Sequence, residues 1–66
     1  MKKLVLKQEI FSLRNIKEAQ EAYKKIANIM VIEKQDSVVI RFLHCKYDGD
    51  RTVKEFENYL IGLENM

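Results

Sequence analysis

The sequence predicts an α+β domain: a small sheet with helices laid on one face. Three observations carry this. The apolar period switches from two to about 3.6 and back along the chain, which marks strands alternating with helices. Residues 38–45 are apolar on both sides, the pattern of a central strand covered twice. Both helical segments open on capping signals of their own, so each element is bounded.

Residues 3–11 alternate as a first strand, with Leu4, Leu6 and Ile10 on one face and Lys7 and Glu9 on the other; Val5 is the apolar exception. Ser12 can accept from the free amides of a helix's first turn. Phe11 and Ile16 flank it with the spacing of a hydrophobic staple. Over residues 13–28 the period is helical. Leu13, Ile16, Ala19, Gln20, Tyr23, Ile26 and Ala27 share a stripe, and Glu21 and Lys25 form a favourable pair four apart on the polar side. Residues 29–34 are short and β-branched, a second strand, and the polar residues 34–37 turn into the third. On that third strand Val38, Ile40 and Phe42 face one way, and Val39, Arg41, Leu43 and Cys45 the other. Residues 47–50 read as a turn. Thr52 and Glu55 then have the spacing of a capping box, and Val53, Phe56, Tyr59, Leu60 and Leu63 form the stripe of a second helix that frays after Gly62.

The order is β-α-β-β-α. A strand–helix–strand crossover places the helix on one face. Inserting the doubly apolar third strand between the first two gives a three-stranded sheet of order 1-3-2, with both helices on one side. This is a ferredoxin-like fold lacking its last strand, in one domain over residues 1–66. The strand it lacks would pair along the first, so the edge over residues 2–10 is expected to be open.

Composition narrows the function. Hydrophobic residues are 47% of the chain, far from the signature of disorder. A chain of 66 residues buries only ~60% of the surface its unfolded form exposes. A core and a catalytic pocket compete for so short a chain. One Cys cannot staple the fold, which points to a cytoplasmic protein. The 12 Lys or Arg and 10 Asp or Glu are intermixed, without the one-sided basic patch of a nucleic-acid binder. The longest apolar run, residues 29–32, is too short to cross a bilayer.

No cofactor, metal or catalytic set emerges. His44 and Cys45 are adjacent on a strand, so they point to opposite faces and supply at most two of the ligands zinc needs. The same divergence keeps a Cys nucleophile from its base. Asp48, Gly49 and Asp50 suit a turn better than a calcium loop, which needs a longer ligand series. Two isolated glycines build no phosphate loop. RNA-binding sheets stack bases on exposed aromatics, and no aromatic falls on the face opposite the helices. That face instead groups Val5, Lys7, Val39, Arg41, Leu43 and Cys45, with Val31 beside them, beneath an open edge carrying Leu4 and Leu6. The sequence therefore predicts a non-enzymatic interaction module that binds a peptide or protein at residues 4–7, Val39, Arg41 and Leu43. The alternatives are a homodimer using the same surfaces and a small subunit of an unrelated enzyme complex.

The segment Ile10-Phe11-Ser12-Leu13 running into Ile16-Lys17-Glu18-Ala19 and Ala22-Tyr23, with the closing Glu55-Phe56-Glu57-Asn58-Tyr59-Leu60, resembles the HxsD-like proteins. The resemblance extends over about residues 4–63. These are small accessory proteins encoded beside radical-SAM enzymes in clusters for ribosomally made, modified peptides. It implies a chain that is not itself catalytic and whose partner is the radical-SAM maturase, the precursor peptide, or both.

Overall fold

A computed structural model describes residues 2–66. The elements are β1 (Lys2–Lys7), α1 (Leu13–Tyr23), β2 (Ala27–Glu33), β3 (Ser37–Cys45) and α2 (Gly49–Glu64). The three strands form one antiparallel sheet of order β1-β3-β2, so the doubly apolar strand is central. α2 packs over β1 and β3, α1 over β2, and the helices pack on each other. The molecule measures 30 × 25 × 17 Å, and its thinnest dimension is that of one sheet and one helix layer.

Between the layers lie Leu6, Ile16, Ala19, Ala27, Ile29, Val38, Ile40, Phe42, Phe56 and Leu60, all buried. Phe42 meets Phe56 edge-on at 5.2 Å between ring centroids, and Phe56 meets Tyr23 at 5.5 Å. One aromatic chain thus joins β3 to α2 and α2 to α1. Edge-to-face pairs of this kind contribute about 0.5–1.5 kcal/mol beyond their buried area. Burial also raises the pKa of the Tyr23 phenol.

Several boundaries differ from the sequence reading. β1 stops at Lys7, because the Ile10 and Phe11 amides both donate to the Lys7 carbonyl and close a turn. Ile10 is therefore not on the core face but 59% exposed. α1 ends at Tyr23, well before residue 28. Ile26 donates to Tyr23 in a turn and accepts from the Lys46 amide, which draws the chain into β2. Ala27 is buried as predicted, but as a strand residue. Glu21 pairs with Lys24, since Lys25 lies past the helix end.

α2 starts a turn earlier than its proposed capping box. Asp48 is the N-cap, its side chain accepting from the Asp50 amide at 3.0 Å. Thr52, buried inside the helix, donates its hydroxyl back to the Asp48 carbonyl at 2.8 Å, and Glu55 instead accepts from Arg51. The helix continues through Gly62 to Glu64.

That extra length has a structural use. Ser12 caps α1 as expected, accepting from the Asn15 amide at 3.2 Å. α1 has no acidic residue in its own first turn. Glu64 takes that place from the end of α2: its carboxylate accepts from the Ser12 amide and the Asn15 side chain, both at 2.8 Å. The negative charge sits where the helix dipole favours it. The Ser12 amide first, and the Asn15 amide group second, hold the Glu64 carboxyl below its usual pKa. A depressed carboxylate stabilises the fold fully above its unfolded pKa and loses that contribution as pH falls through the folded one. Glu64→Gln is expected to flatten the acid limb of stability, with neutral and acidic urea midpoints drawn closer together. An unchanged pH dependence would show that this contact carries no weight.

Candidate functional site

The sheet's two faces are unequally covered. On the helix side the register aligns Leu4 with Ile40 and Val31, and Leu6 with Val38. On the other side Val5, Val39 and Ile32 align across all three strands, and beside them Lys3, Arg41 and Met30. No helix or loop among the described residues lies over this face: Val5 is 55% exposed and Met30 43%. Row on row, it is an apolar strip bordered by cations.

Of the residues named from sequence, Val5, Lys7, Val39 and Arg41 lie on this open face. Leu4 and Leu6 lie on the other, Leu4 half-buried and Leu6 enclosed in the core. Two expectations fail. Val31 faces the core opposite Ile40, and it is Met30 and Ile32 that belong to the open face. Met30, Val31 and Ile32 are all apolar, so alternation within β2 is silent and only the pairing register distinguishes them. Cys45 is likewise not on the open face but packs against the core, opposite Ala27. The cause is an irregularity in the β2–β3 ladder: Ile29 pairs with Phe42 and Asn28 with His44, leaving Leu43 without an opposite residue. This bulge exposes Leu43 and His44 in succession and returns Cys45 inward.

The sheet's edges are also unequal. β2 is tied to α1, where the Gln20 side chain donates to the Ile29 carbonyl at 2.8 Å. β1 has nothing comparable. Apart from the Lys7 carbonyl, no backbone group of β1 has a hydrogen-bond partner outside β3 among the described residues. An edge of this kind is a template for another strand.

Charge is distributed with similar asymmetry. Lys2 is held by α2: its ammonium lies 2.6 Å from the Asp50 carboxylate, whose hydrogen bond and charge raise the lysine's pKa. Lys3, Lys7 and Arg41 make no ion pair among the described residues. Beyond Lys7 the face runs into a depression of about 440 Å³ lined by Val5, Lys7, Gln8, Glu9 and the Gln35–Asp36–Ser37 turn. A smaller hollow of about 270 Å³ lies between Ile26, Tyr47 and the start of α2, with Arg51 and Glu55 on its rim.

Among the described residues, no three His, Cys, Asp or Glu side chains gather as a metal site would require. No helix among the described residues is long and apolar enough to cross a membrane. Set against known protein families, curated proteins and solved structures, the chain finds no match in any of the three.

Proposed function

We propose that the chain is a non-catalytic binding protein of the cytoplasm that takes a peptide or protein partner along β1 and the open sheet face. The observation that carries this reading is the coincidence of the two vacancies. The unpaired edge of β1 borders the uncovered apolar row Val5–Val39–Ile32. A strand added at β1 would gain main-chain hydrogen bonds, and alternate side chains would lie beside that row, which is how affinity and selectivity divide in strand addition. The resemblance of residues 10–23 and 55–60 to HxsD-like proteins supplies the pathway. On it, the partner is a radical-SAM maturase or the ribosomally made peptide that this enzyme modifies, and the chain assists by holding one of them.

The test is a pull-down and a calorimetric titration of the full chain against the maturase and the precursor encoded beside it. Binding to at least one is expected. Binding to neither removes the pathway. A tight dimer in sedimentation that occupies β1 would establish the self-associating alternative.

A further inference from the structure

The β1 edge discriminates by charge, and this bears on which partner strand it accepts. Lys3 lies directly opposite Arg41 on the open face. Like charges so placed destabilise a sheet, whereas an opposite charge in either position would stabilise it. Neither cation finds a carboxylate among the described residues, and Lys7, at the far end of the same face of β1, finds none either. The repulsion is unrelieved in the free chain. A carboxylate added beside Lys3 would relieve it.

A second copy's β1 cannot supply that carboxylate: the strand holds no Asp or Glu, and Glu9, which a register centred on Leu6 would set opposite Lys3, lies in the turn beyond Lys7. Antiparallel self-pairing about a two-fold axis must match residues on the same face. The register centred on Val5 sets apolar side chains against each other, but places Lys3 opposite the second copy's Lys7 twice over. The register centred on Leu4 sets Lys3 against Val5 and brings Lys2, already committed to Asp50, opposite Leu6. Lysines on an edge strand discourage pairing with a like strand. The same charges select an unlike one.

We propose that β1 accepts, as a fourth strand, an extended segment with carboxylates opposite Lys3 and Lys7 and apolar side chains opposite Leu4, Val5 and Leu6. This refines the binding function proposed above and rests on it. One outer carboxylate pairs with Lys3 and offsets its repulsion with Arg41, and the other pairs with Lys7. The central side chain on the open face extends the Val5–Val39–Ile32 row, and its neighbour opposite Leu4 covers the half-buried flank of that residue. Glu9 and Asp36, in the depression beyond Lys7, mark where the cationic stretch ends.

A blocked peptide reading Glu-Val-Ile-Val-Glu between serines is the probe, since its palindromic core presents the same charges in either strand direction. Titrated calorimetrically into the full chain, it should bind about ten-fold more tightly than its counterpart with Lys for Glu. Raising the salt should narrow the gap, because the distinguishing contacts are exposed. A central proline, which removes a ladder donor, should abolish binding. Lys3→Glu with Lys7→Glu should invert the preference. Lys3→Glu alone should weaken binding of the acidic probe yet raise the melting temperature by roughly 2–6 °C, because it turns the repulsive pair with Arg41 into an attractive one. Equal affinity for the two peptides, no binding of the acidic one, or a dimer that excludes it would overturn the proposal. If the acidic probe binds but the maturase and precursor do not, the pathway fails and the edge selectivity stands. If the precursor binds and ignores both charge reversals, the pathway stands and the selectivity fails.

Discussion

Phe56→Ala is expected to unfold most of the population at room temperature. Phe56 is fully buried and, among the described residues, is the only ring that touches both Phe42 on the central strand and Tyr23 on α1. Removing a core phenylalanine costs about 3–5 kcal/mol. In a chain this short a single hydrophobic core rarely supplies more than about 3–5 kcal/mol of net stability. The loss is therefore comparable with everything that holds the molecule together. Tyr59→Ala is the control, because Tyr59 meets Tyr23 from a position 41% exposed and its removal should cost far less. Urea unfolding followed by circular dichroism measures both. Nearly equal midpoints for the two variants would mean that the aromatic chain is not the spine of the core.

The second large effect comes from two neighbours of identical chemistry. Val38 is fully buried in the core, and Val39 looks the other way, half-covered, in the middle of the open face. Val38→Asp places a carboxylate where no partner can reach it. Burial of that kind costs several kcal/mol and should leave the chain unfolded at neutral pH. Val39→Asp keeps its charge in water and loses about 1 kcal/mol of strand preference, so the fold should survive. It breaks the apolar row, however, and should abolish binding of the acidic peptide, which would meet a like charge. A folded Val38→Asp chain would contradict the assignment of faces. A folded Val39→Asp chain that still binds the acidic peptide would remove the open face from the site.

The order of elements and the sheet order were legible because β3 is apolar on both sides, and only a central position accounts for that. What the sequence hid has physical causes. Ile10 continues the alternation of β1 in phase, so nothing local separates it from Leu6; the turn that ejects it depends on two amides converging on the Lys7 carbonyl. Ile26 and Ala27 fit the stripe of α1 because a helix and the strand that follows it can turn the same residues inward. The start of α2 is masked in the sequence because Thr52 and Glu55 match a cap, while Asp48, with its carbonyl already engaged by Thr52, performs the capping. The bulge at Leu43 leaves no compositional mark at all. Strict alternation therefore carried Cys45 to the wrong side of the sheet. Lys3, central to the expected selectivity, carries no signal in the sequence because its significance lies in standing opposite Arg41, a relation between distant segments.

The single ladder that holds β1 also orders events in time. β2 and β3 are joined by a short turn and can pair as soon as both exist, whereas β1 precedes them and β3, its strand partner among the described residues, is made long afterwards. Closing that separation costs more chain entropy than closing the hairpin. β1 should thus be the last strand to dock during folding and the first to detach in native fluctuations. Its amides are expected to exchange with solvent hydrogen ahead of those of β3, and equal protection of the two strands would refute this. A bound fourth strand would then act as a latch, slowing the escape of β1 by giving it a second neighbour to leave.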